Sequence, residues 1–253
     1  MGYSTKINPD IVLGDISNII ADDKTDTPFS AGDILFDWQA ITFPKKSNKL
    51  INIMLHMIGE DGAGQTLAPV HLLFAKSVDQ VAPTTLGAVN AAQTACFDLV
   101  DHLIGQVTVG ADATAQGALA LGFGSVYTSN GVDGGSSLPI VIDPEPNHGD
   151  AAYDKVYVAA IAGGAFDFST GVLSNAGVSD DSATTIVTKT VDLRKCFRPG
   201  DTVYIHDVDT AIGTVSSLTD NDLTLTANNV GAISTNDEFI NANPITATFC
   251  FSE

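Results

Sequence analysis

The chain has 253 residues, 30 of them acidic against 11 basic, for a formal charge of −19, yet charged residues make up only 16% of it. Such a balance repels nucleic acid and anionic membranes, and it leaves a surface of Ser, Thr, Asn, Gly and Asp that is easily dehydrated in protein contacts or adapted to a salty habitat. The length is enough to bury a large core without cross-links, and Cys96, Cys196 and Cys250 stand far apart with no C-x-x-C pair, which reads as buried thiols rather than disulfides or zinc ligands.

The opening MGYSTKINPD has no apolar run of signal-peptide type, and Lys6 stands where a myristoylation motif needs Ser or Thr. No segment approaches the roughly 18 to 20 apolar residues that span a bilayer, so a soluble, cytoplasmically made chain without a signal peptide is expected. In DILFDWQAITF the apolar set Ile34, Phe36, Trp38 and Ala40 alternates with Asp33, Asp37 and Gln39, then slips by one to Ile41 and Phe43. That pattern predicts a strand with a bulge or bend. LINIMLHMIG places Ile51, Ile53, Leu55 and Met57 on one face and Asn52 and His56 on the other; VHLLFAK sets Val70, Leu72 and Phe74 opposite His71. The glycine-rich GEDGAGQTLAP between them predicts that the two strands pair as a long-looped hairpin.

Between Pro83 and Val109 a stripe of Val89, Ala92, Cys96, Leu99, Val100 and Leu103 has helical spacing, whereas LIGQVTV ends as a strand, so a short helix followed by a strand is predicted. The Gly, Ala and Ser-rich stretch from Gly110 to Pro139 reads as strands with long loops, and VYVAAIAG and FDFSTGVLSNAGV continue the β pattern. From Val187 to Asn243 lies a small module with its own strands, DTVYI, IGTVSSL and DLTLTA, and its own turns at Pro199-Gly200 and Asp220-Asn221. The final PITATFCFSE alternates Ile245, Ala247, Phe249 and Phe251 with polar residues and is predicted to rejoin the main sheet. The expected fold is all-β: a jelly-roll-like β-sandwich over 1–186 and 244–253, with a small SH3-like β-barrel at 187–243 inserted before the final strand.

Chemistry is harder to find. No phosphate loop, G-x-S-x-G elbow or H-E-x-x-H signature occurs, and the glycines around Gly122 lack the third glycine of a dinucleotide fingerprint. His56 and His71 are conceivable cross-strand metal ligands if their strands pair, but spacing fixes no acidic third ligand; His102, His148 and His206 add no motif. Asp207, Asp209, Asp220 and Asp222 lie on turns, yet Thr210 and Ala211 break the calcium-loop pattern, which leaves Asp-capped turns as the reading. From Pro199 onward there are acidic residues and no basic ones, which excludes RNA binding by the module, and the one basic cluster, PKKSNK at Pro44 to Lys49, reads as a hairpin loop. No catalytic, cofactor-binding or metal residue is assigned.

The module from Arg198 to Asn243, with its GDTVYIHDVDTAIGTVSSLTDNDLTLTANN run, and the Gly, Ala, Thr and Asn-rich acidic character elsewhere resemble virion structural proteins of tailed bacteriophages, above all small β-rich capsid decoration and accessory proteins of marine or cyanobacterial phages. The resemblance implies a protein that is not an enzyme, joins a virion as a homo-oligomer, with a trimer favoured, and contacts the major capsid protein, without nucleic acid, membrane or cofactor. A capsid decoration (cement) role is the leading expectation. A tail, fibre or host-glycan-binding component is the alternative, weakened by the absence of repeats and by Trp38 lying in a strand pattern.

Overall fold

The computed structural model describes residues 2–7, 29–42, 48–58, 68–94, 99–110, 118–121, 124–128, 138–145, 155–166, 168–189, 192–206 and 208–252. They are nearly all β, arranged in antiparallel sheets, as the residue pattern predicts. Three sheets form. Two of them share the strands β1 (Gly2–Ile7), β2 (Ile34–Thr42), β3 (Asn48–Met57), β4 (Val70–Lys76), β5 (Leu103–Val109), β6 (Ala118–Leu121), β7 (Gly124–Thr128), β8 (Ile140–Ile142), β9 (Lys155–Ala162) and β16 (Ile245–Ser252); the first has the order β1-β16-β3-β7-β6, with β8 also on β3. The second takes β2-β9-β4-β5.

The inner faces of these two sheets meet in one apolar cluster. Leu50, Ile53, Leu55, Met57, Ile245, Ala247, Phe249 and Phe251 come from the first, and Phe36, Ile41, Val70, Leu72, Phe74, Val107, Val156 and Val158 from the second. Phe74 and Phe249 touch edge to face across the gap, with ring centroids 5.7 Å apart. One end is closed by Phe29, Phe166 and Phe168, the last two rings stacked. The outer face of the second sheet is covered as well: Ile34, Leu73, Leu86 and Ala159 form a lesser cluster, and Trp38 donates from Nε1 to the Thr84 carbonyl at 2.9 Å. At Gly163 the chain passes so close to β4's approach that a Cβ would sit 2.6 Å from the Pro69 carbonyl oxygen, which explains the glycine.

The third sheet is built from the segment between β9 and β16. It contains β10 (Ser169–Leu173), β11 (Thr185–Val187), β12 (Thr202–Ile205), β13 (Val208–Leu218), β14 (Asp222–Leu225) and β15 (Glu238–Asn241), in the order β10-β15-β12-β13-β14-β11. It curls until its outer strands meet: Ser174 and Thr188 form a bridge, flanked by backbone bonds from Asn175 N to the Val187 carbonyl and from Lys189 N to the Leu173 carbonyl. Val172, Ile186, Leu193, Phe197, Val203, Ile212, Val215, Leu223, Leu225, Ile233 and Phe239 fill the inside. The predicted turns at Pro199-Gly200 and Asp220-Asn221 are both present.

Five expectations need correction. β3 and β4 do not form a hairpin; they lie in different sheets, because β16 and the β7/β8 pair occupy both edges of β3 while β9 and β5 occupy both edges of β4. Ile51 does not share a face with Ile53: the register slips where Cys250 faces Asn52 and Phe251 faces Leu50, so Leu50 is buried and Ile51 is 48% exposed. The helical stripe of 89–103 does not begin at Val89: Ala92 is held in a bridge to Asp33 and Thr94 bonds Leu86, Cys96 lies outside the described residues, and the described helix is one turn, α1 (Leu99–His102), leading into β5. The inserted sheet also starts upstream of Val187, since β10 pairs with β15 and β11 with β14. The slip expected after Ala40 is not there, since Gln39 to Thr42 pair with Val158 to Lys155 in unbroken register; β2 is irregular earlier, between Ile34 and Gln39, and Phe43 lies outside the described residues.

Candidate functional site

The most elaborate polar arrangement among the described residues lies where the inserted sheet meets the body. Its origin is local. Pro199-Gly200 makes a tight turn, with Gly200 at a φ of +97° that only glycine adopts without strain, and Asp201 N donates to the Arg198 carbonyl at 3.0 Å. The turn sets Arg198 and Asp201 side by side. Arg198 N donates to Asp201 Oδ2 at 2.8 Å, and Arg198 Nε lies 3.7 Å from the same oxygen.

From there the guanidinium reaches into the body. Nη1 donates to Thr246 Oγ1 on β16 at 2.8 Å and approaches His56 Nδ1 on β3 at 3.2 Å, while Nη2 donates to the Asn243 carbonyl at 3.0 Å. Behind it, fully buried Asn241 uses its whole amide: Nδ2 donates to the Cys196 carbonyl and to Asp201 Oδ2, both at 2.7 Å, and Oδ1 accepts from Asn243 N at 2.7 Å. Thr202 N donates to Asn243 Oδ1, and Ile58 N to the Pro244 carbonyl. Burial raises the pKa of Asp201, and the Arg198 charge and hydrogen bonds oppose that rise. The arrangement fixes the exit of β15 into β16 and ties three segments that are distant in sequence. It orients backbone rather than presenting a reactive group.

A second buried amide works the same way inside the module. Asn229 Oδ1 accepts from Ser182 N and Ala183 N, and its Nδ2 donates to the Ser179 and Gly231 carbonyls, so all its hydrogen-bonding capacity is engaged.

The histidines weighed as ligands are separated. His56 sits at the junction, whereas His71 lies in the other sheet, with Nδ1 2.9 Å from Thr108 Oγ1 and a pKa lowered by burial. His102 Nδ1 donates to the Lys76 carbonyl at 2.8 Å, His206 N bonds the Glu238 carbonyl, and His148 lies outside the described residues. Among the described residues, no three His, Cys, Asp or Glu side chains are grouped as a metal site. Asp220 accepts from Arg194, which also clasps Asp192, and Asp222 N is capped by Thr219 Oγ1. Asp207 and the side chain of Asp209 lie outside the described residues, as do Cys96, Lys45 and Lys46 and the loop 129–137. Cys196 is buried and its thiol is pushed up to about 12, whereas Cys250 is half-buried on the outer face of β16.

Reasoning from sequence missed the junction. One signal was present: Arg198 is the last basic residue of the sequence and stands next to a Pro-Gly turn with Asp201 after it. No family model, curated protein or solved structure matches this chain.

Proposed function

We propose that the chain is a virion structural protein of the tailed-bacteriophage kind, a capsid decoration or cement protein that stabilises a head through protein contacts. In this reading the body is a jelly-roll-like β-sandwich, and the inserted unit is a small SH3-like β-barrel. The two facing sheets with one shared core support the first, and the meeting of β10 with β11 supports the second.

One observation carries the functional reading. Three of the polar side chains sunk into the fold, Asp201, Asn241 and Asn229, are bonded to backbone or to each other and hold shape. Interior polarity used in this way suits a scaffold whose product is a surface. That surface is acidic and low in charge density, and strands β1 and β6 of the first sheet and β2 and β5 of the second are outermost among the described residues. Outermost strands offer backbone groups to a neighbouring subunit, and interfaces of about 800 Å² per partner, repeated over a lattice, hold without strong pairwise affinity. The protein is then a homo-oligomer, a trimer by preference, seated on the major capsid protein. It needs no cofactor and turns over no substrate.

The test is to purify the native source particle and count this chain in it. A copy number matching capsid symmetry supports decoration, a few copies per particle moves the protein to the tail, and absence from any particle overturns the reading.

A further inference from the structure

The junction contains two titratable acceptors, the Asp201 carboxylate and the His56 imidazole. Arginine donates from every nitrogen and accepts at none, so the approach of Arg198 Nη1 to His56 Nδ1 at 3.2 Å is a hydrogen bond only while that ring nitrogen carries a lone pair. His56 must therefore be neutral, with its proton on Nε2. A second proton on the ring replaces the acceptor by an N–H aimed at a guanidinium and sets two positive charges against each other.

We propose that His56 and Arg198 form an acid-released latch between the inserted unit and the body, independent of the virion reading. The sign follows from the contact itself, because protonation of Nδ1 removes the acceptor that Arg198 bonds. Across β16 His56 faces Thr246, and across β7 its register partner is Val126. From the inserted unit come Arg198 in contact and Asp201 beyond it, with Nε 3.7 Å from Oδ2. The carboxylate is nearer the guanidinium than the ring, and Arg198 remains charged throughout. Histidine titrates in the range around pH 6.5, so the latch is closed at neutral pH and lost as pH falls through that range. Asp201 works in the opposite direction. Its folded pKa is raised by burial, so the fold binds its proton more readily than the unfolded chain and gains relative stability as pH falls. Acid release therefore traces to His56 and not to the carboxyl.

The latch controls how the third sheet is held, because the same guanidinium clamps the Asn243 carbonyl between β15 and β16. Opening it frees the Ala242–Pro244 connection, where Ala242 N bonds the Thr202 carbonyl and Ile58 N bonds the Pro244 carbonyl. The inserted unit then swings on that connection while each core stays folded.

Hydrogen exchange with single-residue resolution at pH 7.5 and 5.5, corrected for intrinsic rates, tests this on the full chain. Protection at Ala242 and Ile58 is expected to drop roughly tenfold at the lower pH, the change one proton binding about one pH unit below its midpoint produces, while Leu72 in β4 stays unchanged. His56→Gln supplies an acceptor that does not titrate and should abolish the pH difference; His56→Asn is the second non-titrating variant. Thr246→Val removes the other Nη1 acceptor and should lower protection by the same factor at both pH values. Equal wild-type protection at the two pH values, or a pH difference that survives in either His56 variant, overturns the latch.

Discussion

The body and the inserted unit are both antiparallel β, and they are held together by different means. The body uses long strands: β3 has 10 residues, β2 has 9 and β16 has 8, and their inner faces interlock through large apolar side chains. In the inserted unit β13 runs for 11 residues, but its neighbours are short: β10 has 5 residues, β11 has 3, and β12, β14 and β15 have 4 each. Short ladders leave many turn amides and carbonyls to be satisfied elsewhere, and the chain answers with side chains that bond backbone. Asn229 closes two segments, Ser174 Oγ donates to the Ser234 carbonyl, Thr188 Oγ1 to the Asn221 carbonyl, and Asp237 Oδ2 accepts from Ser234 N. Where strands are long, packing gives cohesion; where they are short, polar side chains replace the missing ladder.

The contrast predicts a hierarchy of effects. Phe249→Ala strikes the body at the contact between its sheets and should lower stability by about 3 to 5 kcal/mol, as expected for a buried phenylalanine. Chemical denaturation followed by Trp38 fluorescence reads this directly, because Trp38 is the only tryptophan and lies in the body. Deleting Pro244–Glu253 should abolish the Trp38 transition altogether, since β16 lies between β1 and β3. A normal transition after that deletion would break the assignment of β16 to the body.

Asn229→Ala strikes the unit held by polar bonds and should lower its stability by roughly 2 to 3 kcal/mol, because several buried backbone groups lose their partner together. The reporter here is Cys196, whose thiol is kept protonated by burial. Mass mapping of alkylation at pH 8 should show Cys196 untouched in the native chain and labelled faster in the variant, with Cys250 on β16 as the internal reference. An Asn229→Ala chain that shifts Trp38 as much as it exposes Cys196 would mean that the two regions unfold as one.

Arg198→Met separates the regions rather than damaging either. Arg198 is 28% exposed, so the loss should be about 2 kcal/mol, below that of a fully buried pair, and the Trp38 and Cys196 transitions should draw apart. At the bottom of the scale, Arg194→Ala removes an exposed clasp on Asp192 and Asp220 and should leave both reporters where they were.

Much of the body was legible because period-two alternation survives wherever one face is buried. β16 was read correctly at Ile245, Ala247, Phe249 and Phe251, all buried. Thr246 broke the pattern by being buried on the opposite face, where Arg198 covers it, and nothing local to β16 announces that partner. Ile51 went to the wrong face because one bulge inverts every side chain beyond it, and apolar spacing alone does not mark a bulge. The pairing of β3 and β4 was misjudged for a different reason: adjacency in sequence suggested a hairpin, while both strands found better partners far along the chain. The start of the inserted unit was placed late because TGVL and TIV look alike whichever sheet receives them. The junction escaped notice because an arginine's acceptors are set by tertiary structure; only its place beside the Pro-Gly turn was visible.

The position of β16 has a consequence for synthesis. A ribosome delivers β1 and β3 early, yet the strand that belongs between them follows β15 and arrives only after the whole inserted unit has been made. During that interval β1 and one edge of β3 stand next to a gap of one strand, free to pair with each other or with the same strands of a neighbouring nascent chain. Closure of the first sheet is the least local step in the fold, joining Gly2 to Ser252 across nearly the full chain, and low contact locality of this kind slows folding. The inserted unit, whose strands all lie between Ser169 and Asn241, can fold before that step and carries β16 into the gap as a preformed handle.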